Sequence, residues 1–283
     1  MNATRRVCVA AVLLCTAAAR AEGSSRTNVL GIEFVVFPTA EFRMGCPPSP
    51  PPPWKSGEEL QEHVVRLSGF AISCYPIRAT EFCLFLNELE STESSNRVSS
   101  MLSKWMLKDI HQSGGKWRTK PGREQFAVQG VAPKVAESFC DWFARKASVR
   151  CRLPTEAEWE FAARGSEGRT YPWGEIIHAR DPLGSPVGAN LELATPDGVH
   201  DLNGPVLQWC LDVFDPEFYL RSPAQDPICL TGRDRRVLRG GPMVRYGPGE
   251  KRVLPAAWLR FATDAPSDYS LPIGFRIVVV RQR

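Results

Sequence analysis

The chain of 283 residues is 43% hydrophobic and 23% charged, which suits a globular protein with a buried core and excludes a disordered or low-complexity chain. Its formal charge of +4 comes from 35 Lys+Arg against 31 Asp+Glu spread along the sequence. No basic stripe therefore points to nucleic acid or to an anionic membrane.

Residues 1–21 read as an export signal. Arg5 and Arg6 make a positive start, Val7 to Ala18 is an apolar run too short to span a bilayer, and Ala19-Arg20-Ala21 fits a cleavage site. The expected mature chain begins near Glu22, with a flexible stretch at 22–28 and one domain over 29–281, in a periplasmic or extracellular compartment. A lipid anchor on Cys15 is the alternative, but Leu14 stands where such an anchor needs a small residue. No later apolar run reaches about 18 residues, so no membrane span is expected. Cys46, Cys74, Cys83, Cys140, Cys151, Cys210 and Cys229 follow the signal. The number is odd and no CxxC occurs, so the sequence leaves the pairing open.

Within the domain, Gly31 to Met44 alternates apolar and polar residues around Pro38-Thr39 and reads as a β-hairpin. Pro47 to Pro53 is a proline-rich loop. Val64 to Ile77 reads as one strand. Thr80 is the expected N-cap of a helix over Glu81 to Leu89, with Phe82, Phe85, Leu86 and Leu89 on one face. Ser91 to Phe126 is weakly patterned and reads as a long loop with a short helix near Met101 to Lys108. Val135 to Ala147 is a second amphipathic helix. Thr155 caps a third to about Arg164, with Glu158 placed for a capping box. Gly165 to Leu230 is turn-rich, and Val237 to Gly241 and Gly274 to Val280 read as closing strands. One loop-rich α+β domain accounts for this order.

The segment RLPTEAEWEFAARG at Arg152 to Gly165, followed by Tyr171-Pro172-Trp173-Gly174, resembles the hallmark of the formylglycine-generating enzymes, or sulfatase-modifying factors. That family also includes ergothioneine-type sulfoxide synthases and a pyoverdine-maturation protein. DLNGPVLQW at Asp201 to Trp209, RVLRGG at Arg236 to Gly241 and IGFR at Ile273 to Arg276 resemble further family segments in the same order. The resemblance implies an α+β, C-type-lectin-related fold with short helices, small antiparallel sheets and long loops. Within the hallmark, Trp159 and Phe161 are expected in the core. Glu156, Glu158 and Glu160 are expected as scaffold carboxylates paired with Arg152 or Arg164.

The resemblance also implies where chemistry should lie. Family enzymes oxidise a sulfatase cysteine with copper(I) on two thiolates placed after the double-glycine turn, and copper(I) needs soft sulfur. Here that stretch runs from Gly240 to Glu250 without a cysteine, and none follows Cys229. Arg245 and Glu250 stand near the family's cysteine positions. The iron-dependent relatives need clustered histidines, and His63, His111, His178 and His200 are scattered. Neither copper nor iron is expected. Arg245, Tyr246, Glu250, Trp258, Arg260 and Asp268 are the candidate cleft residues, suited to a polar, aromatic or anionic ligand. The resemblance further implies a candidate structural calcium ion, held by Asp201 and Gln208 side chains with the Gly204 and Val206 carbonyls, the alternative being a loop closed by hydrogen bonds. Calcium wants six to eight hard oxygens, and Gln208 replaces the family's glutamate.

These readings converge on a non-catalytic exported module that binds a protein, peptide or small molecule. An oxidoreductase of the pyoverdine-maturation type, using residues other than cysteine, is the second reading. A formylglycine-generating oxidase is the third.

Overall fold

The computed structural model describes residues 24–54, 62–91, 95–178, 181–232, 235–246, 251–264 and 272–280. The expected signal segment, Glu250, Asp268 and the side chain of Tyr246 lie outside these residues. β1 (Ser25–Val29) turns through Leu30 and Gly31 into β2 (Ile32–Phe37). Both turn residues have positive φ, 53° and 86°, the requirement of a two-residue hairpin that matches strand twist. β3 (Ala40–Met44) pairs instead with β4 (His63–Leu67).

The hairpin expected over Gly31 to Met44 is thus not formed, because its two halves join different sheets. The reason is burial on both faces of β2. Phe34 enters one core and Val35 the other, so β2 takes a neighbour on each edge: β1 on one side and β5 (Phe70–Ser73) on the other. The single strand expected over Val64 to Ile77 is likewise two, β4 and β5. They break at Ser68-Gly69, where Asp226 accepts hydrogen bonds from the Ser68 amide and hydroxyl at 2.6 and 2.7 Å.

α1 (Ala79–Glu90) buries Phe82, Phe85 and Leu86 as its periodicity requires. Its N-cap is Arg78, not Thr80. Glu81 accepts from the Arg78 amide, while the Thr80 hydroxyl donates to the Glu124 carbonyl. The stretch read as a loop holds α2 (Ser95–Ser100), a 3₁₀ turn at Met106–Lys108, and a hairpin of β6 (Ile110–Ser113) and β7 (Lys116–Thr119). Gly114 and Gly115, both at positive φ, make its turn. α3 (Pro133–Ala147) starts with proline at its first turn and ends on Ser148 in the left-handed region. β8 (Arg150–Arg152) leads into α4 (Glu156–Arg164), where Thr155 and Glu158 form the expected capping box.

β9 (Leu207–Val213), β10 (Arg235–Gly240), β11 (Val244–Tyr246), β12 (Lys251–Val253), β13 (Phe261–Asp264), β14 (Ile273–Gly274) and β15 (Val278–Val280) complete the chain. One sheet runs β1-β2-β5-β15-β8 and a second β13-β10-β9-β14, with β11-β12, β3-β4 and β6-β7 as two-stranded pairs. The first sheet separates two cores. Phe82, Phe85, Phe139, Trp142 and Phe275 pack on one face beside α1 and α3, whereas Phe37, Phe70, Ile72, Trp159 and Phe161 pack on the other beside α4. No helix among the described residues is long and apolar enough to cross a membrane. Small, mostly antiparallel sheets, with β14 running parallel to β9, together with short helices and long loops, are the α+β architecture expected.

Candidate functional site

α4 is buried along its whole length, glutamates included. A buried carboxylate must be paired and hydrogen-bonded or it drives the chain out of this packing. Glu160 receives Arg164 at 2.9 Å, Arg239 at 2.6 Å and the Gly45 amide at 2.7 Å. Burial alone would push its carboxyl up, but the charges of Arg239 and Arg164 outweigh burial and hold it below the usual range. Glu156 receives Arg239 at 2.9 Å and both edges of Arg260 at 2.6 and 3.0 Å. Arg152 grips Glu158 at 2.6 and 2.7 Å.

Arg152 arrives from β8 of the first sheet, Arg239 from β10 of the second and Arg260 from the segment before β13, while Arg164 is α4's own, so the charge lattice ties α4 to both sheets. The scaffold reading of the three glutamates is what this geometry shows. Asp212 on β9 sits behind Glu156. Burial, reinforced by the Glu156 charge, pushes its carboxyl up to about 7. Nothing in the sequence pattern singled out Asp212 or Tyr219. Both lie in segments read only as turn-rich.

β10 leaves the lattice at Gly240-Gly241. Gly240 has φ of 67°, and a Cβ there would stand 2.0 Å from the Leu202 carbonyl oxygen and 2.7 Å from the Trp159 ring. The double glycine is therefore a close-approach turn, and it delivers Met243 and the β11-β12 pair. In that pair Arg245 lies directly opposite Arg252. Like charges directly opposite repel, so the pair favours an anion nearby. Asp181 supplies one: it is ion-paired to Arg252 and accepts from the Met243 amide at 3.4 Å. Arg245 is exposed.

The other candidate residues are not gathered there. Arg260 is committed to Glu156 and to the Asp215 carbonyl, and it stacks over Phe214 and Tyr219. Trp258 is buried with Cys46, Trp54 and Ala256, with Arg164 over its ring. Asp181 and Arg252 were not anticipated. Only the alternation across β11 and β12 could have suggested Arg252.

No cysteine follows Cys229, whose thiol is buried and donates to the Thr231 carbonyl, so a pair of copper thiolates does not exist at this hairpin. His200 stacks on Tyr75, His63 packs on Tyr219 and His178 meets Trp173, each in a different setting. Among the described residues no three His, Cys, Asp or Glu side chains gather as a metal site. All seven cysteines of the described chain are thiols, and the buried Cys140 thiol is hydrogen-bonded to Cys151.

The Asp201 to Gln208 loop does not fit calcium as the expected four-residue set. Gln208 Oε1 already accepts from Trp159 Nε1 at 2.9 Å and Arg276 Nε at 2.6 Å. Gln208 Nε2 donates to the Asp201 and Leu202 carbonyls at 2.7 and 3.1 Å. Asp201 Oδ2 accepts from the Gly188 amide at 2.6 Å, and Oδ1 is buried without a hydrogen-bond partner. Asp201 Oδ1, Asn203 Oδ1, which is likewise buried without a hydrogen-bond partner, and the Gly204 and Val206 carbonyls remain, fewer than the six to eight oxygens that calcium requires.

Residues 20–281 match the family profile described as sulfatase-modifying factor enzyme 1-like domain. The chain is 28% identical over 282 residues to a formylglycine-generating enzyme of Streptomyces coelicolor, covering 86% of this chain and 87% of that protein. It is 27% identical over 289 residues to an inactive C-alpha-formylglycine-generating enzyme 2 of Bos taurus, covering 87% of each. A Chlamydia trachomatis protein named serine/threonine-protein kinase Pkn1 is 32% identical over 193 residues, 65% of this chain. The chain spans under a third of the length of that relative. Among solved structures, PvdO from Pseudomonas aeruginosa superposes with a TM-score of 0.64 at 23% identity, covering 92% of this chain and 99% of that one, which shows a shared fold.

Proposed function

From the premise that this chain belongs to the sulfatase-modifying factor family, we propose that it is a non-catalytic binding module of that fold, exported from the cytoplasm, whose β11-β12 hairpin receives an anionic group of a peptide or small molecule. The observation that carries the reading is the hairpin itself. Two arginines face each other across it, with Asp181 ion-paired to Arg252 and Arg245 exposed, where a copper oxidase of this family would need two thiolates. A guanidinium binds carboxylate, sulfate or phosphate in two-pronged fashion but does no copper chemistry. The match to a relative named as inactive supports the same direction.

The test has two arms. A peptide carrying a sulfatase-type cysteine motif is incubated with the protein, copper(I) and oxygen, and its mass is followed. No conversion is expected, and formation of the aldehyde would overturn the reading. Fluorescent peptides of equal length ending in acidic, neutral or basic residues are then titrated. Preference for the acidic peptide, lost on Arg245→Ala, is expected. Equal binding of all three rejects the hairpin as the receiving site.

The second reading is an oxidoreductase acting on a peptide or small molecule through residues other than cysteine. Asp181, hydrogen-bonded to Met243 and paired with Arg252 beside the hairpin, is the carboxylate that such a reaction would use. Chemical change in a ligand that the hairpin binds would bring this reading forward.

A further inference from the structure

The loop from Asp201 to Gln208 holds a buried hydrogen-bond set that leaves no freedom in how Gln208 is oriented. Trp159 Nε1 and Arg276 Nε can only donate, so the side-chain oxygen of Gln208 must face them. The amide nitrogen must then face the other way, toward the main-chain oxygens of Asp201 and Leu202. Gln208, Trp159 and Arg276 are fully buried and Asp201 nearly so. Water cannot replace any of these bonds without opening the core.

Arg276 extends the set. It donates to the Ser73 carbonyl at 2.7 Å and the His200 carbonyl at 2.8 Å. It joins the end of β5 and the loop to the segment before β15, and no carboxylate among the described residues is hydrogen-bonded to it. Burial pulls its guanidinium down to about 10, still charged at neutral pH.

We propose that the Gln208 amide and the Arg276 guanidinium together take the place of a divalent cation in this loop, so that the loop is locked without calcium. A cation in such a loop draws carbonyl oxygens inward and supplies positive charge. Here the Gln208 N–H groups draw in two carbonyls, and Arg276 supplies the charge.

The contrast with glutamate at the same position gives the proposal its content. One oxygen of a glutamate would still accept from Trp159 and Arg276. The other would stand where Nε2 now stands, at hydrogen-bonding distance from two carbonyl oxygens with nothing to donate. Three acceptors facing each other in a buried site require a proton or a cation between them. Asp201 Oδ1 and Asn203 Oδ1, both buried in this loop without a hydrogen-bond partner, are further hard oxygens open to such an ion. A single amide-to-carboxylate change thus separates a calcium-independent loop from a calcium-dependent one.

The test is thermal unfolding of the full protein and of Gln208→Glu at pH 8, each in EDTA and in excess calcium chloride, with calcium content measured by mass spectrometry. The wild-type Tm is expected to be the same in both buffers, with calcium well below one per chain. Q208E is expected to lose roughly 5–15 °C in EDTA, the cost of an unpaired buried charge, and to recover most of it in calcium with one ion bound. A wild-type Tm that falls in EDTA and returns with calcium overturns the proposal. So does a Q208E that is equally stable in both buffers. Should Q208E fold only when calcium is present during refolding, that too supports it. Gln208→Met, which lacks both donor and carboxylate, is expected to be destabilised and indifferent to calcium. Calcium rescue of that variant would show that the carbonyls bind calcium unaided and would count against the proposal.

Discussion

The α4 lattice and the β11-β12 hairpin lie one glycine turn apart along the chain and obey opposite rules. In the lattice, Glu156, Glu160, Arg164, Arg239 and Arg260 are buried and each charge meets an opposite one at 2.6 to 3.0 Å. At the hairpin, Arg245 is exposed and faces another arginine. The lattice is over-determined, so the family hallmark survives there as a structural necessity. The hairpin is held instead by the Asp181 contacts to Met243 and Arg252 and by Val253 packing on the Trp54 and Trp258 cluster, with Arg245 exposed. The family match over residues 20–281 reports on the shared scaffold, whereas on the reading proposed above the ligand is met at the hairpin.

The largest test of this difference is removal of one lattice charge. Arg239→Met leaves Glu156 and Glu160 buried with fewer partners, and should destabilise the protein by about 3–5 kcal/mol, read by urea unfolding. A loss below about 1 kcal/mol would mean that the lattice relaxes readily and that the contrast with the hairpin is false.

A second effect concerns pH. Asp212 has a folded pKa of about 7 against an ordinary value of 3.8. The native state then holds its proton where the unfolded chain has lost it. Its contribution is full below the unfolded pKa and falls as pH rises from about 4 to about 7. The slope from this group reaches up to about 1.4 kcal/mol per pH unit. Asp212→Asn cannot ionise and should show a flatter stability profile across that window than the wild type. Parallel profiles would remove Asp212 as the source.

How much of this was legible in the sequence follows from what each signal encodes. The capping box at Thr155 and Glu158 is local and was read directly. Thr155→Ala should cost about 1 kcal/mol in thermal or urea unfolding, and no measurable loss would mean the box contributes nothing beyond its geometry. The faces of α1 and α3 were legible because 3.6-residue periodicity is written in the chain. Strand partners were not. Period-2 alternation at Ile32 to Phe37 is the same whether the neighbour is β3 or β5, and only burial on both faces decides it. The proposed site, the stretch after Gly240-Gly241, shows its lack of cysteine in the sequence itself. It was not legible in what it has. Arg260 and Arg245 look alike in one dimension, yet one is sealed against Glu156 and the other reaches solvent. Gln208 looked like a weakened calcium ligand, because sequence gives a side chain's donors and acceptors but not which way they face.

The smallest expected change in stability is at the hairpin, and it is the one that bears on the proposed function. Arg252→Ala removes an exposed ion pair with Asp181, an interaction worth under about 1 kcal/mol. Urea unfolding should hardly distinguish it from the wild type. Its effect on ligand should be larger than its effect on folding. Asp181 would lose its cation, and its negative charge would then act on Arg245 and on any anion arriving beside it. Binding of an acidic peptide should weaken several-fold and become less sensitive to salt, because one of the two cations that attract it is gone. Asp181→Asn should act in the opposite sense, leaving both arginines and removing the competing anion, so acidic peptides bind more tightly. If both variants change binding in the same direction, the hairpin acts through its shape rather than its charge. The anionic-ligand reading would then have to give way to one in which the exposed backbone of the β11-β12 pair makes the contact.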